Sequence, residues 1–524
     1  MDREKLERLK LFLYYAHQHS FHNEQEIKRS VSCICFHCER WFYSRQVTMW
    51  CDEDNVGNRT ARCPYCGVDS VLGDDEDDEI YTLPVVNKLM HIQFFGEGID
   101  NLEKIPYIDD GIMWRLNGKY CRDCIVFADK IDPDALAIIF HLIDNPMFEG
   151  AKIRIMPDVH AAKDIVVGFT VPFADHVNPD HVGGDIGCSV STVITDLPIC
   201  PENYPQIEKT IRENVKFGMT VHSRSVYPQA ELYRHLQSRL QEAWQQWPEM
   251  VGMADVSERG ITAMLKRIEL SEHMFYHSIG TVGGGNHFVE VGMTPDGNYA
   301  FTVHCGSRNF GQMVWKYWKR IAMQPDNANS GFLTGDNMRG YITDMVIAQA
   351  YAEYNHMVID RLVMDAICSV SSVQANILDR IYTTHNYIDF SMKMIRKGAV
   401  AAPKGKKLVI PFNMHDGLIV ARGKGNKEWN CSAPHGAGRL LSRSEAKEQI
   451  DMEEYREMMA GIYSTSVGIG TIDESPKAYK DTEEILNLIG DTVDVEYFIR
   501  PVINMKATNS YDPTMEIDMN EEAD

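Results

Sequence analysis

Two pairs of cysteines near the start of the chain place the tightest limit on how it can fold. Cys35 and Cys38 form one Cys-x-x-Cys pair, Cys63 and Cys66 form a second, and 24 residues separate the pairs. Such spacing places four thiolates on two tight turns, which is the arrangement that tetrahedral Zn²⁺ requires. A module of this size cannot build a large core, so we expect Zn²⁺ to hold it together.

The other cysteines fit a metal site less well. Cys33 and Cys51 could replace a ligand but lack paired spacing. The alternative to a zinc site is that the two Cys-x-x-Cys pairs are unrelated to each other. Cys121 and Cys124 have no second pair nearby and are interpreted as structural thiols at the start of a strand. The odd total of 13 cysteines and the lack of an apolar secretory signal favour a reduced compartment. We therefore expect a cytoplasmic protein.

The formal net charge of −23 excludes a protein that coats nucleic-acid phosphates generally, because such proteins carry a basic surface. Any contact with RNA must therefore be local. One basic stretch could form a track for RNA phosphates, and the alternative is that it is an ordinary solvated surface. The stretch comprises Arg396, Lys397, Lys404, Lys406, Lys407, Arg422, Lys424 and Lys427.

Composition changes along the chain indicate three parts and an α+β fold class. Residues 1–100 are expected to form a zinc-ribbon-like module that ends in an acidic linker, 110–508 a mixed α/β domain, and 509–524 an acidic tail. Within the large part, the patterns predict strands over 165–173 and 299–304 and helices over 231–247, 345–370 and 442–459. Ser442 and Glu445 have capping-box spacing at the start of the last helix.

Five short segments of the large part place metal-ligating residues beside glycines or other polar residues. Each histidine alone could be an ordinary polar group. Together, a carboxylate, a thiolate and several imidazoles suit a borderline divalent cation such as Mn²⁺ or Zn²⁺. The segments are Asp185-Ile-Gly-Cys188, Gly283-Gly-Gly-Asn-His287, His304-Cys-Gly-Ser-Arg308, Thr384-His385-Asn386 and Pro434-His435-Gly-Ala-Gly-Arg439.

These segments, in this order, closely resemble the RtcB-type RNA-splicing ligases. Supporting matches are Met156-Pro-Asp-Val-His160, Arg396-Lys-Gly-Ala399 and Asp473-Glu-Ser-Pro-Lys-Ala-Tyr-Lys480. The resemblance covers about 110–508 and leaves out the N-terminal cysteines. It implies an enzyme that uses GTP and Mn²⁺ to join a 2′,3′-cyclic phosphate or 3′-phosphate RNA end to a 5′-hydroxyl end, in tRNA splicing or RNA repair.

The resemblance also assigns roles to individual residues. It implies that His435 takes up GMP, forming a histidine-GMP intermediate, and that Cys188 bridges two Mn²⁺ ions. The implied Mn²⁺ ligands are Asp185, Cys188, His287, His304 and His385. The implied nucleotide-binding residues are Asn286, Glu290, Asn413, His435, Gly436, Ala437, Gly438, Arg439 and Lys480, with Lys480 near the guanine.

Some residues depart from the family pattern and leave questions open. Phe412 and Asn413 stand where many members carry Gly and Ser, so the nucleotide contacts of this loop are open. Asp158 and His160 could support the site or be structural. The competing functions are a metal-dependent cyclic phosphodiesterase that no longer joins RNA, and a binding module whose zinc knuckles contact RNA or protein. An archease-type activator is left open as a further partner.

Overall fold

The computed structural model describes residues 3–74, 84–96, 98–99, 114–116, 118–128, 131–162, 165–324 and 331–508. Most of the expected acidic linker and the whole expected 509–524 tail lie outside the described residues. The chain divides into two compact units, Met1–Lys152 and Ile153–Asp524. The expected boundary between 100 and 110 also falls outside the described residues, so those domain limits stay a prediction.

The first unit combines short antiparallel strands with helices. Strand β1 lies between β2 and β5, β3 pairs with β4, and β6 pairs with β7. Cys124 lies in β7, and the buried Cys121 thiol donates to the Ala151 carbonyl, so the predicted structural role at a strand start is confirmed. The strands are β1 Ser32–Cys35, β2 Arg40–Tyr43, β3 Met49–Glu53, β4 Arg59–Arg62, β5 Val71–Gly73, β6 Trp114–Leu116 and β7 Asp123–Val126. The helices are α1 Arg3–Gln18, α2 Glu24–Arg29, α3 Pro84–Phe95 and α4 Pro133–Ile143.

The second unit is built on a seven-stranded antiparallel sheet in the order β17-β11-β15-β14-β24-β22-β21. These strands are β11 Ser189–Thr195, β14 Phe288–Met293, β15 Tyr299–Cys305, β17 Ile377–Thr384, β21 Lys407–Pro411, β22 Leu418–Gly423 and β24 Val493–Met505. The remaining strands are β8 Lys152–Ile155, β9 Phe169–Pro172, β10 His176–Val177, β12 Lys216–Phe217, β13 Thr281–Gly283, β16 Leu333–Thr334, β18 Asn386–Asp389, β19 Met394–Lys397, β20 Ala399–Ala401 and β23 Ser432–Pro434.

Helices α5 and α10 pack against one face of the large sheet. Val193 and Val303 of the sheet lie in one buried cluster with Ile211 of α5 and Ile359 and Val363 of α10. Removing this apolar surface from water stabilises the unit, since each fully buried aliphatic side chain contributes about 1.5–3 kcal/mol. The helices are α5 Tyr204–Asn214, α6 Gln229–Gln246, α7 Glu258–Arg267, α8 Glu272–His277, α9 Arg308–Ala322, α10 Gly335–Ser371, α11 Arg443–Gln449, α12 Met452–Met458 and α13 Thr482–Leu488.

The predicted elements are mostly present, and the α+β class is confirmed. The Ser442–Glu445 capping box forms as predicted. The prediction of a single helix over 442–459 is wrong, because the chain forms two helices there, α11 and α12, and Asp451 lies between them. The Asp451 side chain accepts from the backbone N–H groups of Glu453 and Glu454 and so starts α12. Among the described residues, no helix combines the length and apolar character needed to span a membrane.

Candidate metal centre and adjoining cavity

Sheet topology brings four of the predicted ligands together at the same end of four neighbouring strands in the large sheet. Cys188 precedes β11, His287 precedes β14, His304 lies near the end of β15, and His385 follows β17. These strands are antiparallel neighbours in the order β17-β11-β15-β14, so the start of one strand lies beside the end of the next. Cys188 and His385, which are 197 positions apart in the chain, therefore meet in space.

One group of ligand atoms comes from Asp185, Cys188 and His287. The His287 Nε2 atom lies 3.0 Å from Asp185 Oδ2 and 3.4 Å from Cys188 Sγ. The opposite ring nitrogen, Nδ1, lies 2.9 Å from the Val282 carbonyl oxygen, which accepts its proton. This tautomer leaves the Nε2 lone pair directed at the carboxylate and the thiol, as in a metal-ligating histidine.

A turn with an obligatory glycine delivers Asp185 and Cys188 together. Gly187, between them, has φ +71°, and a Cβ there would come 2.9 Å from the Gln349 backbone. A side chain at this position would therefore have to push α10 away. The glycine allows the turn to pack tightly against the helix and places both ligands just before strand β11.

A second group of ligand atoms comes from Cys188, His304 and His385. Cys188 Sγ lies 3.2 Å from His304 Nε2, which in turn lies 3.3 Å from His385 Nε2. All three side chains are buried, and their ligand atoms lie within 4.8 Å of one another. Cys188 belongs to both groups, so one thiol lies between two candidate cation positions.

The electrostatics of these side chains fit bound cations. Burial lowers the pKa of His304 and of His385 well below 6.5, so both imidazoles are neutral and have a lone pair to share. Burial, and then the Asp185 carboxylate, raise the pKa of the Cys188 thiol well above its ordinary value. A cation would reverse that effect by stabilising the thiolate. Three imidazoles, a carboxylate and a thiolate are suitable ligands for a pair of borderline divalent cations.

His435 lies next to this centre. It follows β23, which pairs with β20, and the Ala399 N–H of β20 donates to the His385 carbonyl. The His435 and His385 ring centroids are consequently only 4.6 Å apart.

A buried carboxylate orients the His435 ring. Asp158 Oδ2 accepts from His435 Nδ1 at 2.6 Å and from the His435 backbone N–H at 3.0 Å, and Asp158 is fully buried. With the proton on Nδ1, Nε2 is left with a lone pair. The sequence left Asp158 open between a structural and a supporting role; the geometry makes it the residue that fixes the ring and its tautomer.

Lys480 holds the loop that carries Asp158. Its Nζ donates to the carbonyls of Pro157 and Val159, at 2.9 and 2.8 Å, on either side of Asp158. Lys480 is not among the described residues that line the cavity beside His435, and its position near the guanine stays a prediction. Lys506, for which no motif was recognised, does line it.

The cavity beside His435 contains about 990 Å³ of empty space, measured out to its solvent-open mouth. Four of the predicted metal ligands line it: Asp185, Cys188, His304 and His385. Eight of the nine predicted nucleotide-binding residues line it as well: Asn286, Glu290, Asn413, His435, Gly436, Ala437, Gly438 and Arg439.

The cavity wall carries buried cations in spite of the acidic composition of the chain. Lys397, Arg439 and Lys506 all line it and are all largely buried. The Lys506 ammonium is held by Glu474 at 2.6 Å and by the Asn286 carbonyl at 3.1 Å. Arg439 is held by the protein too, since its guanidinium donates to the carbonyls of Leu441 and Asp473 and to Glu474. Arg439 and Lys506 thus share one buried carboxylate, which offsets part of their positive charge.

Two buried oxygens in the cavity wall have no hydrogen-bond partner among the described residues. They are Glu290 Oε1 and Asn504 Oδ1, and the two side chains are joined by a 2.9 Å hydrogen bond from Asn504 Nδ2 to Glu290 Oε2. Burial raises the pKa of Glu290 to about 8. Buried polar atoms without partners are rare, and in a cavity wall they are available to a ligand.

The loop that departs from the family pattern is held by hydrogen bonds within the loop. Asn413 Oδ1 accepts from the backbone N–H groups of His415 and Asp416, and its amide donates to the Asp416 carboxylate. Phe412 is buried and stacks against Phe498. The Asn413 side chain therefore shapes the cavity wall chiefly by holding this turn.

Four of the eight residues in the predicted basic track are paired with acidic side chains. Arg396 is fully buried and paired with Asp389 at 2.7 Å. Lys407, Arg422 and Lys424 are paired with Asp379, Glu496 and Asp494, respectively. The acidic partners, which are distant in sequence, cancel the positive charge that the sequence suggested.

In the first unit, the four paired cysteines also come together. Cys35, Cys38, Cys63 and Cys66 place their sulfur atoms within 4.8 Å of one another, whereas Cys33 lies outside the group. Cys51 instead lies near Asp52 and Asp69 on a more exposed surface. The predicted pairing of the two Cys-x-x-Cys motifs is therefore present in the fold.

Comparisons with known proteins match this arrangement to one family. Residues 145–507 match the family model described as tRNA-splicing ligase RtcB. RNA-splicing ligase RtcB1 of an Escherichia coli strain is 29% identical over 403 residues, and RNA-splicing ligase RtcB of Escherichia coli K12 is 28% identical; each match covers 72% of this chain and 95% of the relative. The tRNA-splicing ligase RtcB of Aeropyrum pernix is 26% identical, over 63% of this chain and 82% of that protein. Since the family model spans well over half of its length, this chain belongs to the RtcB family.

Proposed function

We propose that this chain is an RNA ligase that uses GTP and Mn²⁺ to join a 2′,3′-cyclic phosphate or 3′-phosphate RNA end to a 5′-hydroxyl end, in RNA repair or tRNA splicing. Family membership supports RNA ligation. The observation that carries the proposed mechanism is the environment of His435. Its ring is held by Asp158, lies 4.6 Å from the His385 ring, and borders a cavity that is open to solvent.

In the first half of the proposed reaction, His435 acts as the nucleophile. The Nε2 lone pair attacks the α-phosphorus of GTP, a P–N bond forms, and the bond to pyrophosphate breaks. The ring then carries a positive charge with its proton still on Nδ1. The Asp158 carboxylate, which accepts that proton at 2.6 Å, stabilises the charged ring.

In the second half, the RNA ends react. A 2′,3′-cyclic phosphate is first opened by water to a 3′-phosphate. An oxygen of that phosphate attacks the phosphorus of the His435-bound GMP and breaks the P–N bond, which returns His435 to its neutral form. The 5′-hydroxyl oxygen then attacks the 3′-phosphorus, GMP leaves, and the hydroxyl proton passes to solvent.

The two ligand groups are proposed to hold a pair of Mn²⁺ ions with Cys188 between them. Asp185, Cys188 and His287 would bind one ion, and Cys188, His304 and His385 the other. When bound, such ions neutralise phosphate charge and act as Lewis acids at phosphorus. The closeness of both groups to His435 supports this assignment. Zn²⁺ is proposed for the four N-terminal cysteines on separate grounds.

The nucleotide is proposed to occupy the cavity with its base towards Glu290 and Asn504. Their unpartnered oxygens would accept from the N–H groups on the edge of guanine. Lys506 is proposed as the cation nearest that part of the cavity. Lys480 is proposed to act through Asp158 by holding its loop. The glycines at 436 and 438 let the backbone approach a phosphate closely.

The proposal is tested by incubating the full chain with Mn²⁺, labelled GTP, a cyclic-phosphate RNA and a 5′-hydroxyl RNA. We expect joined RNA and an acid-labile GMP adduct, both abolished in His435→Ala. His415→Ala is the matched control, because His415 lies outside the cavity, is half exposed and pairs with Asp416. Opening of the cyclic phosphate without any adduct or joining would instead identify a phosphodiesterase.

A further inference from the structure

The strongest unexplained feature is the cysteine group of the first unit, which lies outside the region that matches the family. Cys35 Sγ lies 3.7 Å from Cys66 Sγ, and Cys38 Sγ lies 3.7 Å from Cys63 Sγ. A Zn–S bond of about 2.3 Å in a tetrahedron separates neighbouring sulfurs by about 3.8 Å. The four thiols are therefore spaced as ligands of one tetrahedral cation.

Disulfides do not explain this spacing. A disulfide needs an S–S separation of about 2.05 Å, and all four thiols are free. Each close contact also joins one residue of the first pair to one residue of the second. The four atoms therefore form a single cluster in place of two independent Cys-x-x-Cys pairs.

The backbone around the cysteines is arranged to support thiolates. The Tyr65 N–H donates to Cys63 Sγ at 3.4 Å, and the Arg40 N–H is directed at Cys38 Sγ. Each pair also closes a tight turn, since the Glu39 N–H donates to the Cys35 carbonyl and the Gly67 N–H to the Cys63 carbonyl. Backbone N–H groups directed at sulfur stabilise the charged, metal-binding form.

The core of the module depends on the same residues. Cys35 and Cys63 are fully buried, and they share a small cluster with Ile27, Phe42 and Val71. Cys35 ends strand β1, whereas Cys63 directly follows β4, so the cysteines connect two separate antiparallel ladders. So few apolar side chains supply little stability alone, and a metal bond across the ladders would supply the rest.

We propose that Cys35, Cys38, Cys63 and Cys66 bind one Zn²⁺ ion in a structural site. Four thiolates complete the tetrahedral shell and leave no open position for a substrate, which distinguishes this site from a catalytic one. Soft thiolate ligands select Zn²⁺ over Mn²⁺ or Mg²⁺. The site is independent of the proposed ligase activity and of its cations.

The test measures zinc in the full-length protein by elemental analysis after purification without chelators. The double variant Cys35→Ala, Cys63→Ala should lose one equivalent of zinc relative to the wild type. Cys33→Ala is the matched control: it removes a fully buried thiol two residues from Cys35 and should keep the full content. Cys188→Ala should also keep this equivalent, which separates it from any zinc bound in the second unit.

Cobalt substitution covers the case in which the double variant fails to fold. Co²⁺ added to the metal-depleted wild-type and Cys188→Ala proteins should give the same thiolate-to-cobalt charge-transfer absorption, with the intensity of four sulfur ligands, and Zn²⁺ should displace it. Equal zinc in the wild type and the double variant, or absence of that absorption from the Cys188→Ala protein, would overturn the proposal.

Discussion

The two clusters of metal-binding residues differ in how the chain assembles them. The cysteine cluster draws all its ligands from 32 residues and from two copies of one motif. The cluster around Cys188 draws five ligands of three chemical types from 201 residues. The first can be recognised from spacing alone. The second exists only because four neighbouring antiparallel strands have their termini side by side at one end of the sheet.

The difference in assembly accompanies a difference in chemistry. Four equivalent thiolates form a closed shell that suits a permanent structural ion. The mixed cluster instead adjoins His435, whose imidazole is oriented, and the cavity beside it. A site that must bind substrate and release product needs this open side. The cysteine cluster, which is closed and local in sequence, therefore suits a stabilising role. The mixed cluster, which is open and dispersed in sequence, suits catalysis.

The largest effect should come from removing the thiol that both groups of the mixed cluster share. Cys188→Ala should lower GMP-adduct formation and RNA joining by at least about 1,000-fold, because losing both ions removes several kcal/mol of stabilisation at phosphorus. Labelled-GTP uptake and a ligation assay measure this. In contrast, the double variant Cys35→Ala, Cys63→Ala should lower the zinc content and the thermal stability of the first unit. Wild-type adduct formation by Cys188→Ala would contradict the assignment of the mixed cluster.

The next largest effect should come from Asp158, which acts through His435. Asp158→Asn keeps the shape but removes the charge that selects the Nδ1–H tautomer, so we expect adduct formation to slow by about 100-fold or more. Metal content should not change. Asp175→Asn is the matched control, because the Asp175 side chain is 97% exposed. Equal adduct rates in Asp158→Asn and the wild type would show that this carboxylate does not orient the nucleophile.

Two glycines with nearly the same φ angle provide a matched pair across the two clusters. Gly67 has φ +75° and Gly438 has φ +76°. A Cβ at 67 would meet only Arg62 Nη2, at 3.8 Å, so Gly67→Ala should cost about 1–2 kcal/mol of backbone strain and keep zinc. A Cβ at 438 would clash with the Asp158 carbonyl, and Gly438→Ala should therefore slow adduct formation by about 10-fold or more.

Thermal melts and labelled-GTP uptake of both glycine variants check this prediction. The informative result is a split, with Gly67→Ala affecting stability alone and Gly438→Ala affecting the rate as well. Equal loss of rate in both variants would mean that backbone strain, and not the displaced Asp158 loop, causes the effect.

The sequence predicted what depends on short-range pattern and missed what depends on long-range contact. The cysteine pairs and the Ser442 capping box were recognisable because their partners lie three residues apart. The hydrogen bond between Asp158 and His435 joins residues 277 positions apart, and no local pattern reveals it. The pairing within the basic track was missed for the same reason, since the partner of Arg422 is Glu496, 74 residues further along.

Lys480 and Lys506 illustrate the same limit within the proposed site. Both belong to the C-terminal part of the chain, and only Lys480 lies within a recognised motif. The fold turns Lys480 towards the backbone around Asp158, whereas β24 delivers Lys506 to the cavity. Motif membership therefore identified the right region, but the fold decided which of the two ammonium groups faces the cavity.

The last prediction concerns a carboxyl group in the cavity that has no counterpart in the cysteine cluster. Burial raises the pKa of Glu290 from 4.5 to about 8, while Asn504 and Lys506 oppose the shift. Between these values the folded protein holds a proton that the unfolded chain has lost. The free energy of unfolding therefore falls as pH rises through this window, and the loss is complete above pH 8.

Glu290→Gln removes that dependence while keeping a neutral side chain of the same shape. Relative to the variant, the metal-free wild type should be about equally stable near pH 4.5 and less stable, by up to a few kcal/mol, near pH 8. Calorimetric melts of both proteins across this range measure the difference. A difference that stays constant with pH would show that Glu290 ionises normally. The cavity would then present a carboxylate, and not a carboxylic acid, to the edge of the base.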